Sequence, residues 1–173
     1  MSAKLFMMLG LPGAGKTTTA RLIADLTGAV RLSSDELRFR LIEAPTFSQA
    51  EHDVVYRTLD YLSELLLGKG VSVIYDANLN RFRHRQDKYA ICEQAGAQAV
   101  LLWIKTPRDL AKERALHEDR AHFAPKDETL EGMFERITDV FEPPQAGEAA
   151  IPIDGIHIDA EVVRQALSSH QLL

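Results

Sequence analysis

Residues Gly10-Leu11-Pro12-Gly13-Ala14-Gly15-Lys16-Thr17 follow the pattern G-x-x-x-x-G-K-T. These residue types serve one chemistry, the holding of a polyphosphate. Gly10, Gly13 and Gly15 let backbone N–H groups turn inward without Cβ clashes. Lys16 brings a mobile point charge to β- and γ-phosphates, and Thr17 brings a hydroxyl for Mg²⁺. Ala14 and Thr18 complete the expected nucleotide-contacting positions. A helix opening behind the loop would add its positive N-terminus. The context fits: Lys4–Leu9 is an apolar run of strand length, and Thr18–Leu26 reads as a helix ending near Gly28.

Strand and helix patterns alternate along the rest of the chain, which predicts a parallel α/β sheet. Further strands are expected at Ala29–Leu32, Val71–Tyr75 and Ala99–Ile104, and a last one at Ile156–Ile158. Helices are expected over Asp35–Leu41, Gln49–Leu67 and Arg81–Ala95, from Pro107 to about Asp119, over Glu128–Phe141 and over Glu161–Leu167. Ser33 or Ser34 can cap the second helix and Asp159 the last. In the Gln49–Leu67 helix, Val54, Val55, Leu59, Leu62, Leu65 and Leu66 are read as the apolar side.

Ligands of open parallel sheets bind beyond the carboxyl ends of the strands. The polar residues at those ends are therefore the candidates. Asp35 is the candidate general base, able to take the proton of an acceptor hydroxyl. Arg38, three residues on, shares its helical face and can grip an anionic group by paired hydrogen bonds. Asp76 ends a β-rich run as a Walker B aspartate does. It can hold a Mg²⁺ water, or orient Arg38 or Lys16, and the sequence leaves these open. Arg114 and Arg120 flank an expected lid over about residues 114–128. There they would seal the site and offset transition-state charge. His117 and His122 are five apart, so they miss the shared face of a zinc helix.

The chain has 173 residues, 46% of them hydrophobic and 26% charged, which suits one soluble domain over residues 1–173. No apolar run approaches membrane-spanning length, and no signal peptide is visible. A single cysteine, Cys92, excludes an intrachain disulfide and fits a reducing, cytoplasmic setting. It reads as a small buried apolar residue. The net charge of −5 argues against a large polynucleotide footprint. Local basic clusters exist nonetheless, at Arg81, Arg83, His84 and Arg85, and at Arg108, Lys112 and Arg114.

Four stretches together resemble the small P-loop kinases that include polynucleotide 5′-hydroxyl kinases and zeta-toxin-like kinases. They are Gly10–Thr17, Ser34–Arg38, Val73–Asn80 with Arg83 and Arg85, and Phe141–Pro144. The resemblance implies a three-layer P-loop NTPase fold, with a five-stranded parallel sheet in the order 2-3-1-4-5 and a helical lid. It implies that Asp35 acts as general base and Arg38 as the acceptor-side arginine, with Arg114 and Arg120 as lid arginines. It also places Phe141–Pro144 near the adenine. The expected activity is transfer of the γ-phosphate of ATP, with Mg²⁺, to a hydroxyl. A small-molecule acceptor is favoured over a nucleic acid end, because the chain is acidic and poor in aromatics for base stacking. A non-catalytic or regulatory ATP-binding module is the competing reading. Asp35 with Arg38 separates the two, since a binding module needs no base on the acceptor side.

Overall fold

A computed structural model describes residues 2–117 and 128–173. Strands β1 (Lys4–Leu9), β2 (Val30–Ser33), β3 (Val73–Asp76), β4 (Gln98–Lys105) and β5 (Ala150–Asp154) form one sheet in the order β2-β3-β1-β4-β5. Every pairing is parallel. The helices are α1 (Lys16–Thr27), α2 (Ser34–Leu41), α3 (Gln49–Gly68), α4 (Phe82–Ala95), α5 (Arg108–Ala115), α6 (Leu130–Asp139) and α7 (Ala160–Ser169). This is the expected fold class and strand order.

The sheet is covered on both faces, so its central strands are apolar throughout. β1 shows the alternation that builds three layers. Phe6 and Met8 pack toward Ile23 of α1 and Val163 and Leu167 of α7. Leu5, Met7 and Leu9 pack toward Val55 and Leu59 of α3 and Ile91 and Cys92 of α4. Cys92 is buried as expected, and burial pushes its thiol up to about 11. Ser33 caps α2 through the Glu36 N–H, and Asp159 caps α7 through the N–H groups of Glu161 and Val162.

Three expectations are corrected. The last strand is Ala150–Asp154, and Ile156–Ile158 is irregular. Ile151 and Ile153 face inward while Pro152 faces outward. A proline interrupts a central strand but is tolerated on an edge one, and β5 is an edge. The helix after β4 ends at Ala115, short of Asp119. On α3 the buried line is Val55, Leu59, Ser63 and Leu67, whereas Val54 and Leu65 are exposed. Ser63 is accepted in that line because its hydroxyl donates to the Leu59 carbonyl.

Candidate active site

The glycine loop leaves β1 and enters α1 with Gly13 at φ 75 and Gly15 at φ 102, both left-handed. At each position space matters as well as φ. A Cβ on Gly13 would collide with the carbonyl oxygen of Ala111 in α5, and one on Gly15 with the Ile158 side chain. The loop is thus gripped by α5 on one side and by the segment after β5 on the other. Thr106 at the end of β4 adds a hydroxyl donated to the Ala14 carbonyl at 2.8 Å. Lys16 Nζ donates to the carbonyls of Gly10 and Leu11 at 2.8 and 2.9 Å. These bonds hold the ammonium at the loop, where arriving phosphates can recruit it. Thr18 is exposed on the first turn of α1.

Thr17 Oγ1 donates to Asp76 Oδ1 at 3.3 Å. Asp76 Oδ2 accepts from Arg31 Nε at 2.9 Å and pairs with Nη2 at 2.7 Å. Arg31 Nη1 continues to Glu36 at 2.6 Å. A hydrogen-bonded line therefore runs from the glycine loop, through the end of β3 and through β2, into the first turn of α2. The partner that holds the second carboxylate oxygen of Asp76 is Arg31. Arg31 was missed in the sequence: it stands in β2 opposite Ile74, two residues before the end of β3, a register that neither local sequence carries. A hydroxyl and a carboxylate converging at the loop's end fit a Mg²⁺ ion with oxygen and water ligands.

The same helix α2 carries Asp35 and Arg38. Asp35 is exposed on the first turn and senses the Tyr56 hydroxyl. Tyr56 is pushed up to about 12, first by burial, with the Asp35 charge adding to it. Its hydroxyl accepts from the Asn78 N–H at 3.0 Å. So α2, α3 and the β3–α4 turn meet around one tyrosine. Arg38 is turned inward, with Nη1 3.5 Å from Glu51 and its guanidinium 4.9 Å from the Phe47 ring centre. Glu51 also fastens the chain before α3, accepting from Thr46 N and Oγ1 and from Phe47 N.

On the opposite side, Arg114 donates to the carbonyls of Gly155 and Ile156 at 2.7 and 3.0 Å. It joins α5 to the segment that covers Gly15. Arg108 and Lys112 pair with acids of α6, Glu135 and Glu131. Arg120 and most of the expected lid lie outside the described residues. A cleft of about 580 Å³ opens beside the glycine loop, lined in part by Leu11, Trp103, Lys105, Thr106, Phe141 and Ile156.

Phe141 is set by an anchor that comes from the local basic cluster Arg81, Arg83, His84 and Arg85. Arg85 is fully buried on α4. Nε and Nη2 grip both oxygens of Glu148 at 2.8 Å. Nη1 donates to the carbonyls of Leu79 and Glu142, and Nη2 to that of Pro143. Tyr89 donates to Glu148 as well. The segment from Phe141 to Glu148 is thereby tied across the sheet end to α4. Asp60, which receives both Tyr75 and Lys88, ties α3 to the same wall.

A G-x-x-x-x-G-K-T loop at the end of the central strand, in a 2-3-1-4-5 parallel sheet, defines a P-loop NTPase fold of the kinase type. Comparison with known proteins agrees. The chain belongs to the AAA domain family, whose model matches residues 5–144. It is 26% identical over 175 residues to the adenylyl-sulfate kinase of Myxococcus xanthus, covering 94% of this chain and 86% of that one. It is 36% identical over 87 residues to an uncharacterized protein of Mycobacterium tuberculosis. That match covers 43% of this chain and only 18% of the mycobacterial protein's length. Among solved structures, a sugar kinase from Janibacter sp. HTCC2649 superposes with a TM-score of 0.71 at 19% identity, over 99% of this chain and 96% of that one. The APS kinase CysC of Mycobacterium tuberculosis, in complex with AMPPNP and APS, gives 0.68 at 21% identity, over 99% and 97%. At these identities the two structures establish the fold.

The loop assignment carries its own test. Lys16→Ala is expected to keep its fold, since Lys16 touches carbonyls and not core. Nucleotide-dependent turnover should fall on the order of 10²-fold or more, as for loss of a preorganised charge. Circular dichroism beside a turnover assay checks this, and near-normal turnover would remove the loop from the chemistry.

Proposed function

We propose that this protein is an ATP-dependent kinase that transfers the γ-phosphate to a hydroxyl of a small molecule. The observation that carries the reading is the line Thr17–Asp76–Arg31–Glu36, which links the phosphate loop to the helix bearing Asp35 and Arg38. A module that only binds nucleotide has no need of a carboxylate and an arginine held at that distance from its loop.

In this reading each residue has a role. The loop N–H groups and Lys16 hold the β- and γ-phosphates. Thr17 would hold Mg²⁺, with Asp76 on its water shell, and the ion would offset phosphate charge. Asp35, on the exposed rim of α2, accepts the proton of the acceptor hydroxyl. Arg38 orients the acceptor. Arg114 comes from the lid side toward the developing charge, after giving up the carbonyls of Gly155 and Ile156. The cleft beside Leu11 and Phe141 takes the nucleoside.

The deciding experiment follows labelled γ-phosphate from ATP into panels of metabolites, nucleotide sugars and 5′-hydroxyl oligonucleotides. Transfer to a small hydroxyl compound supports the reading. Tight ATP binding without transfer to any acceptor would favour a binding module, and transfer to the oligonucleotide alone a polynucleotide kinase.

Arg31 offers a second check. Arg31→Met leaves the Asp76 carboxylate buried and uncompensated, at an expected cost of about 3 kcal/mol in urea unfolding. Adding Asp76→Asn should recover part of that stability while transfer stays low, because the link to Thr17 is weakened. Recovery of transfer together with stability would make the line purely structural.

A further inference from the structure

Helix α3 carries two apolar lines. Val55, Leu59, Ser63 and Leu67 form the first, and they are buried. Val54, Tyr61 and Leu65 form the second and remain 45%, 63% and 47% exposed. The second line lies about 160° further around the same helix. A helix that packs on one side only turns polar residues to the other. Here the outer side shows large apolar residues instead. Thr58 fills the turn between Val54 and Tyr61, which makes a row spaced i, i+4, i+7 and i+11. Its hydroxyl donates to the Val54 carbonyl at 2.8 Å, so it needs no outside partner. The row runs about 17 Å along the helix axis.

Two exposed charges, Arg57 and Glu64, flank this row on the same side, two turns apart. Arg57 Nε donates to the Asp53 carbonyl at 3.2 Å. Among the described residues, neither its Nη nitrogens nor the Glu64 carboxylate has a partner.

We propose that this outer face of α3 is a self-association surface, and that its occupant is the α3 of a second copy, packed antiparallel about a two-fold axis. The row is complementary to itself in that direction. Val54 meets the second copy's Leu65, and Tyr61 meets the second copy's Thr58, a small residue that leaves room for the ring. A two-fold axis also keeps the flanking sides together while reversing their direction. Each Arg57 then comes against the second copy's Glu64. Parallel packing would set Arg57 on Arg57 and Glu64 on Glu64, which repel. Such rim pairs add little strength, but they select direction and register.

One helix face covers well under the roughly 800 Å² per partner of a standard interface. The association is therefore weak, populated near about 0.1 mM protein and dispersed near about 1 µM. This surface stands apart from the kinase reading, since none of its residues lines the glycine loop or the cleft beside it.

Sedimentation velocity of the full chain, from about 1 to 200 µM, reads the association. The expected result is a reversible equilibrium whose mean mass rises from 19.3 kDa toward twice that value. Leu65→Glu should weaken it by more than about tenfold, because each dimer then carries two charges in its apolar row. Arg57→Glu and Glu64→Arg should each weaken it by about tenfold, since both symmetry-related pairs become repulsive. Combining the two substitutions in one chain should restore the constant to within about twofold. Mixing the two single variants should restore it as well, because each copy then meets opposite charge at both pairs. High salt should erase the differences among the charge variants and leave the Leu65→Glu defect. All three positions are exposed, so the variants should fold normally, and circular dichroism checks this.

A monomer at every concentration overturns the proposal. So does a dimer indifferent to Leu65→Glu, which would lie on another face. Single charge variants without effect overturn the antiparallel direction, and so does a mixture that fails to associate. Growth beyond the dimer overturns the closed two-fold arrangement.

Discussion

Asp35→Asn is expected to lower phosphoryl transfer by about 10²- to 10⁴-fold, the range for losing a general base. ATP binding should change little. The substitution is nearly isosteric, and Ser33, not Asp35, caps α2. The helix therefore keeps its start, and Glu36 keeps its pair with Arg31. The phosphate loop lies across the Thr17–Asp76 contact and loses nothing. Calorimetry with ATP and Mg²⁺, beside transfer to the acceptor found in the screen, separates the two quantities. Preserved transfer would remove Asp35 as base and pass the role to Asp76. The exposure of Asp35 fits a base that must meet a diffusing acceptor.

Arg85→Met is expected to be the most destabilising single change at the site, by about 3–5 kcal/mol. It leaves the Glu148 carboxylate, 4% exposed, without its cation, and strips donors from the carbonyls of Leu79, Glu142 and Pro143. That is a large part of an ordinary domain's stability of roughly 5–15 kcal/mol. Lysine should not rescue it, since a point charge cannot reproduce five bonds from one planar fork. Urea unfolding measures both variants, and a loss below about 1 kcal/mol would refute the anchor. Acid should act on the same spot. Burial works against the charge of Glu148, but Arg85, the Gln145 N–H and Tyr89 outweigh it and hold the carboxyl below its ordinary value. The resulting stability is complete above the unfolded value of about 4.3 and is lost as pH falls through the folded one. In Glu148→Gln that acid-dependent part should vanish.

Local physics made much of this legible in the sequence. The glycine pattern specified a loop because only certain residues let backbone N–H groups converge. The apolar runs at Lys4–Leu9 and Ala99–Ile104 specified central strands because both faces of the sheet are covered. The position of Asp35 and Arg38, on the helix that follows the end of β2, was legible from the apolar run before them and the serines that can cap the helix. What escaped was long-range pairing. Arg31 and Asp76 are partners across β2 and β3, and nothing in either local sequence names the other. Arg85 read as one of four members of a local basic cluster, and its burial depends on Glu148, 63 residues away. Val54 and Leu65 have core chemistry but lie off the Val55–Leu59–Ser63–Leu67 line, so the helix leaves them in water. Ile156–Ile158 has strand chemistry, yet its work is to cover Gly15.

Pro152 has a consequence for how this molecule behaves at high concentration. β5 closes one side of the sheet, and an unpaired strand there can template a neighbouring chain into the same ladder. A proline in the middle of that strand withholds one N–H from any incoming backbone, and its ring faces outward. Replacing Pro152 by valine would restore the donor and raise local β-propensity together. The cost would fall on the shelf life of the purified protein, as slow strand-to-strand association, and not on its chemistry.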